Sequence, residues 1–417
     1  MQPSAGVITE PTSSSERIAV VDVLRAFALF GIIVNHASKS FLVGPSPDPQ
    51  FLLFSSVDKL VDQLAVLLTF GKFFAIFSFL FGLSFAIQLE SATRRASSFS
   101  GRFAWRLLIL LAIGYVHGLF FSGDILLIYA VLGFLLIPLR NVSTRTLAIV
   151  GVILILNIPG LVLGSLQMSG PPPTAQQQQT LADSRQAFAE RAQRQYEIKR
   201  SGSIGELTEM NAAQSLQTKF LFQVVTGRLW ITFGLFLLGM CAGRMNLFRD
   251  TAANRTAFTR LLAGAGTIAL VTTRIAIAFP NKIRPTTLAD VLAGFNFSIH
   301  QATLAAFYVA AVTLLFWKRP RGLLAPLAPM GKMGLTTYLT QSAFGLVVFY
   351  GVGFGLLGRL GAAACVAVAI LFFAAQILFA RWWMSRFKLG PVEWLWRSLT
   401  YFKLQPNVRE RVSAASA

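Results

Sequence analysis

The feature that constrains this chain most is a series of apolar runs, several of them eighteen residues or longer. They can be drawn at roughly 18–37, 64–90, 103–121, 124–140, 145–166, 220–243, 259–279, 296–317, 333–357 and 361–384. About twenty apolar residues suffice to cross a bilayer as one helix. In lipid every backbone polar group must be paired within the chain, so such runs become helices. The expected fold is therefore all-α, a polytopic membrane helix bundle of about ten transmembrane helices. Only 13% of residues are charged, where a soluble protein would be near a quarter.

The net charge of +20 could suggest nucleic acid, but its distribution argues otherwise. Arg94, Arg95, Arg102 and Arg106 lie in one short connection. Arg140 and Arg145, then Arg244, Arg249, Arg255 and Arg260, then Lys318, Arg319, Arg321 and Lys332 lie in later ones. They alternate with connections holding only Lys39, Lys59, Lys282, Arg284 and Arg359. Basic residues mark the cytoplasmic side of membrane proteins. Both termini are thus expected in the cytoplasm, with the bilayer and not nucleic acid as the basic residues' partner. Residues 1–17 form a polar tail without the pattern of a cleaved signal. Residues 18–166 are a five-span half, 167–219 an extracytoplasmic polar loop, 220–384 a second five-span half, and 385–417 a basic cytoplasmic tail. The loop opens on Gly170-Pro171-Pro172-Pro173 and continues into polar, helix-forming sequence. It reads as a mobile cap or spacer, the alternative being a lid that grips substrate. Cys241 and Cys365 both fall inside apolar runs, so neither a metal site nor a disulfide framework is expected.

Ionisable residues inside spans are costly and usually face a bundle interior or a wet cavity. The first span, RIAVVDVLRAFALFGIIVNH, carries Asp22, Arg25, Asn35 and His36. At 100° per residue, Arg25 and His36 fall within about 20° of each other and Asp22 about 60° from Arg25. This polar stripe runs about 20 Å along the helix axis. Asp22 and Arg25, at the cytoplasmic end, either shape a donor-binding surface or close that end as a salt bridge. Lys72 lies in the second span. Either it snorkels to the interface or it meets an acyl oxygen or phosphate. Arg228 and Arg274 pose the same choice and read as snorkelling. The third span ends in GYVHGLFFSGD. Asp124 suits a helix N-terminus, and a tight turn over Ser122-Gly123 would bring it to His117. A carboxylate so placed fixes the imidazole tautomer and raises its basicity, as a general base needs. His300 also lies near the outer face, so all three histidines of the chain are expected there. Thr337 and Gln341 share a helix face with Tyr338 beside them. They either contact substrate or hold helices together.

Several blocks resemble one family. RIAVVDVLRAFALFGIIVNH, GKFFAIFSFLFGLSFA, RLLILLAIGYVHGLFFSGDILLIYAVLGFLL, GLFLLGMCAGR, GKMGLTTYLTQS and GPVEWLWRSLTY are similar to the YeiB-like bacterial membrane proteins. The last two resemble the signatures of their C-terminal domain of unknown function number 418. This family is grouped with transmembrane acyltransferases, among them the lysosomal heparan glucosaminide acetyltransferase. The resemblance implies a multi-pass protein of the bacterial inner membrane. It also implies acyl transfer, with acetyl-CoA as a co-substrate rather than a tightly bound cofactor, and an envelope glycan or lipid as acceptor. Asn35 matches the family's proposed catalytic Asn by position. His36 follows it directly, closer than the family's His, and Ala26 stands where the family usually has Gly.

Two function classes follow. In an acyltransferase, His117 or His36 would be the base, Asp124 would orient it, and Asn35 or Lys72 would stabilise the oxyanion. Asp22, Arg25, Lys72 and Gln341 would serve substrate binding. In a transporter for a small metabolite or lipid, the same polar residues would line the path. The sequence leaves homo-oligomerisation open.

Overall fold

The computed structural model describes residues 19–44, 50–94, 99–168, 174–213, 216–279, 287–320 and 322–409. The N-terminal tail, Gly170–Pro173 and the outer-loop cations Lys282 and Arg284 lie outside these residues. The described regular elements are all α-helices: α1 Ala19–Ala37, α2 Ser56–Leu68, α3 Lys72–Arg94, α4 Ser100–Phe120, α5 Leu126–Leu139 and α6 Thr144–Ile155. Next come α7 Ile158–Met168, α8 Ala175–Ser201, α9 Ile204–Ala213, α10 Leu216–Val225, α11 Arg228–Arg244 and α12 Ala252–Ala278. The last are α13 Leu288–Lys318, α14 Leu327–Lys332, α15 Gly334–Phe349, α16 Ala362–Arg386 and α17 Pro391–Tyr401. The protein is an all-α, multi-pass membrane helix bundle.

Every apolar run read from the sequence contains helix, but the ninth, drawn to 357, ends its helix at Phe349, and three others are broken. The second breaks at 69–71 between α2 and α3, the fifth at Asn157 between α6 and α7, and the sixth between α10 and α11. At the last break the chain bends by 80°. Gly227 sits there at φ 71°, a left-handed conformation that costs a glycine little. By length and composition, six helical runs among the described residues can each cross a membrane, and the bent pair would make a seventh. The apolar helices α5 and α6, with 14 and 12 residues, fall short of the roughly 20 needed for a full crossing.

The first span is the hub. Its Ala26, Leu29 and Ile33 belong to a buried cluster with α15 and α16, while Val20, Val23 and Leu24 pack with residues of α3, α11 and α13. Helices α3 and α11 pack closely: a Cβ on Gly239 would overlap the Phe79 carbonyl, and one on Gly82 the Phe236 carbonyl. Small residues commonly allow such approach in membranes, where packing rather than the hydrophobic effect joins helices.

At the end of the bundle where α4 begins, α17 packs as an amphipathic helix. Trp396 Nε1 donates to the Arg106 carbonyl at 3.0 Å, and the Arg106 guanidinium sits 4.5 Å from the Trp396 ring centre. Glu393 accepts from the Leu335 and Thr336 amides at 2.7 and 3.0 Å and from Thr336 Oγ1 at 2.6 Å. It thereby caps the start of α15 from a distant helix. Burial raises its carboxyl above the usual value, against the pull of those hydrogen bonds.

At the opposite end, α8 and α9 are docked on the bundle. Gly351 N donates to the Lys199 carbonyl at 2.8 Å, Asn211 Nδ2 to the Leu119 carbonyl at 2.9 Å, and Tyr196 meets Phe51 edge-on. The polar loop thus has a seat on the end of the bundle opposite α17, which its composition alone did not reveal.

Candidate functional site

The outer polar site is built on the turn between α4 and α5. Phe121 N closes α4 by donating to the His117 carbonyl at 2.9 Å, and Asp124 N donates to the Phe121 carbonyl at 3.2 Å. The resulting tight turn folds Asp124 back over the last turn of α4. Asp124 Oδ1 lies 2.7 Å from His117 Nδ1, and Oδ2 accepts from the Leu127 amide at 3.1 Å. The carboxylate therefore caps α5 with one oxygen and holds the imidazole with the other. An ionised carboxylate only accepts hydrogen bonds, so Nδ1 is the donor to it, and a ring with a single proton has its lone pair on Nε2. Nε2 is buried and has no hydrogen-bond partner among the described residues. The histidine side chain is 8% exposed and the carboxylate 1%.

Aromatic rings frame this dyad. Tyr338 of α15 lies edge-on to His117 at 5.2 Å. The Phe121 ring is flanked by His117 at 5.9 Å and His36 at 5.2 Å, and His36 stacks on Phe41 at 5.7 Å. The two histidines are thus neighbours across one phenyl ring, but His117 is the one paired with a carboxylate. An apolar cavity of about 20 Å³ borders Tyr338, Tyr129, Ile32 and Phe77.

Asn35 enters the same region beside His36. Its Oδ1 lies 3.4 Å from Thr69 Oγ1, whose single proton also faces the Ala65 carbonyl at 2.5 Å. The shorter contact takes the proton, so the Asn35 amide is only weakly held.

The other sequence-selected residues lie apart from the dyad. Lys72 is buried at the α2–α3 break, 3.5 Å from the Val66 carbonyl, where a cation complements the C-terminal end of α2. His300, on α13, is within electrostatic reach of Lys72, and its Nδ1 is 3.4 Å from the hydroxyls of Thr272 and Thr273. Asp22 and Arg25 form an ion pair at 2.6 Å, and Arg25 also reaches Ser84 Oγ at 2.8 Å. That pair ties α1 to α3 about 20 Å along the helix from His36. Gln341 Nε2 donates to Gln376 Oε1 at 3.2 Å, and Gln376 Nε2 donates to Thr340 Oγ1 at 2.8 Å. This buried amide pair joins α15 to α16.

Three cations were missed or misread in the sequence. Arg228 does not reach outward: its guanidinium lies over the Phe70 and Phe74 rings at 5.1 and 5.5 Å, within electrostatic reach of His36. The glycine just before it, where the helix turns, was the available signal. Lys219 Nζ lies against Gly118, within reach of Asp124. Lys199, on the outer helix α8, is 1% exposed, with Nζ 3.3 Å from Ser122 Oγ and 3.4 Å from the Val43 carbonyl. Burial lowers its ammonium to about 8. Arg274, by contrast, is exposed.

Fold and site together define a polytopic helical membrane protein with a buried His–Asp dyad at the end of the bundle opposite α17. Comparison with known sequences then places it. Residues 242–403 match the family described as "Protein of unknown function (DUF418)". The chain is 31% identical over 427 residues to the uncharacterized protein YxaH of Bacillus subtilis (strain 168), covering 96% of this chain and 98% of YxaH. It is 28% identical over 416 residues to the uncharacterized protein YeiB of Escherichia coli (strain K12), covering 94% and 98%. The chain belongs to this YeiB-like, DUF418 family.

Proposed function

We propose that the protein is an integral-membrane acyltransferase of the bacterial inner membrane. It would move an acetyl group from a CoA thioester to a hydroxyl or amine of an envelope glycan or lipid. The observation that carries this reading is the dyad: His117 is held by Asp124, with Nε2 buried and, among the described residues, without a hydrogen-bond partner. In the reaction Nε2 takes the proton of the acceptor O–H or N–H as that atom attacks the thioester carbonyl. The C–S bond then breaks, and the thiolate recovers the proton from the imidazolium to leave as CoA–SH. Asn35 supplies an N–H to the tetrahedral oxyanion. His117, rather than His36, is assigned as the base because it alone has the orienting carboxylate. Asp22, Arg25 and Gln341 take structural roles in this scheme, and Lys72 takes a helix-capping one.

The test is consumption of acetyl-CoA by purified protein given envelope extracts as acceptors. Turnover that requires both donor and extract supports the reading; none with any extract removes it. A second reading, transport of a small metabolite or lipid, draws support from the broken spans, since discontinuous helices often build transporter sites. Flux of substrate in liposomes without any acyl donor would favour it.

A further inference from the structure

Helix α17 is built inside out. Its inward side is polar: Ser398 and Thr400 are buried, and Glu393 is engaged at the start of α15. Its outward side is apolar. Leu395 and Leu399, four apart on one helix face, are 48% and 46% exposed, and Phe402 at the C-cap is 79% exposed. Leu404 and Val408 carry the same exposed apolar surface onward. An amphipathic helix facing water presents the opposite pattern. Phe402 also holds a left-handed φ of 50°, uncommon for a bulky residue, and its ring stacks on Trp105 at 5.3 Å.

The neighbours of this surface indicate what covers it. Trp105 Nε1 donates to the Leu399 carbonyl at 3.1 Å, and the Arg102 guanidinium sits 5.6 Å from the Tyr401 ring centre. With the Trp396–Arg106 contact, these fix α17 beside the first two turns of α4. From there α4 continues with Leu108, Tyr115 and Val116 exposed, the apolar flank that a spanning helix offers to lipid. The stripe on α17 is thus continuous with a lipid-facing surface and lies at its edge, among the Trp, Lys and Arg that mark a membrane boundary. The charge agrees: residues 381–411 contain seven Lys and Arg against two Glu. The segments flanking α17 pair with each other. Lys388 N donates to the Asn407 carbonyl at 2.7 Å and Arg409 N to the Arg386 carbonyl at 2.9 Å. Arg386, Lys388 and Arg409 therefore share one small platform beside the helix, and all three, with Lys403 after Phe402, are exposed.

We propose that α17 is an interfacial helix, with Leu395, Leu399 and Phe402 seated in the acyl boundary of the bilayer and Lys388, Lys403 and Arg409 recruiting anionic phospholipid headgroups. Apolar residues on one side with Lys and Arg at the headgroup level are what such a helix needs. This contact is independent of acyl transfer.

The experiment places a coumarin-bearing amino acid in the full chain in place of Leu399, or, in a second protein, in place of Gln186 on the polar helix α8. Each is reconstituted in phosphatidylcholine nanodiscs. Lipid carrying a doxyl group high on its acyl chain should quench the label at 399, and acrylamide in the water should not; the label at 186 should behave the other way round. At equal mole fraction, doxyl phosphatidylglycerol should quench position 399 more than doxyl phosphatidylcholine. Lys388→Gln and Lys403→Gln together should reduce that preference severalfold, since each Lys or Arg near an anionic surface strengthens binding up to about fivefold. Both lysines are exposed, so the variant should keep its fold; a label in place of Leu395 is read in the same way if the one at 399 perturbs it. A label open to acrylamide and untouched by doxyl lipid would overturn the proposal. So would a label shielded from both quenchers, which would mean that a protein or a second copy covers the face. Equal quenching by the two headgroups, or a preference unchanged in the double variant, would overturn the recruitment of anionic lipid.

Discussion

Replacing Asp124 with Asn tests the dyad with almost no change in volume. The carboxylate accepts from Leu127 N at 3.1 Å and holds His117 Nδ1 at 2.7 Å. An asparagine has one acceptor oxygen. If that oxygen keeps the α5 cap, the NH₂ must face Nδ1. A donor facing Nδ1 requires a lone pair there, so the ring proton moves to Nε2 and the base is lost. General-base catalysis contributes about 10²–10⁴-fold, so acetyl transfer should fall by that factor. The fold should lose only about 1 kcal/mol, the net worth of one weakened hydrogen bond. Two assays separate these effects: acetyl-CoA consumption, and ¹⁵N NMR of histidine-labelled protein, which reports which ring nitrogen carries the proton. With three histidines in the chain, single-histidine substitutions suffice to assign the spectrum. Wild type should show Nδ1–H at His117, and Asp124→Asn should show Nε2–H. The same tautomer in both proteins, or full turnover in the variant, would refute the reasoning.

Three further outcomes follow from packing and charge. Gly239→Leu drives a side chain into the Phe79 carbonyl and should cost about 3 kcal/mol or more by forcing α3 and α11 apart; an unchanged melting temperature in detergent would contradict the close packing. Lys199, lowered from 10.5 to about 8, binds its proton more weakly folded than unfolded, so stability should rise as pH goes from about 8 to 10.5, by roughly 3 kcal/mol. Lys199→Met should flatten that window in a pH series of melts. Glu393, whose carboxyl is raised by burial, runs the other way: its contribution is fully present below the unfolded pKa and is lost as pH rises through the folded one. Glu393→Gln should remove that acid-side slope, while Glu393→Ala should lower the melting temperature at every pH by uncapping α15.

The parts of this architecture that were legible in the sequence are the local ones. Apolar runs give helices because lipid allows the backbone little else, and each run drawn from the sequence contains helix. The His117–Asp124 pair was legible because seven residues spanning a Ser-Gly turn leave the two side chains few other places to go. What was hidden depends on contacts far apart in the chain. The partner of Gln341 is Gln376, thirty-five residues on. The glutamate of the C-terminal signature caps a helix fifty-seven residues before it. Lys199, in a loop that reads as a mobile cap, is fixed to Ser122, seventy-seven residues away. The breaks were hidden for a different reason: hydropathy is blind to a single residue in a left-handed conformation, and the 80° bend before Arg228 turns that side chain from the interface into the bundle.

The most direct test of the account is acetyl-CoA turnover with His117→Ala and His36→Ala run beside the wild type, each checked for an intact fold. The account predicts that His117→Ala abolishes transfer to an envelope acceptor, while His36→Ala keeps a substantial part of it. Transfer that survives loss of His117, or disappears only with His36, would contradict the assignment of the His117–Asp124 dyad as the catalytic base.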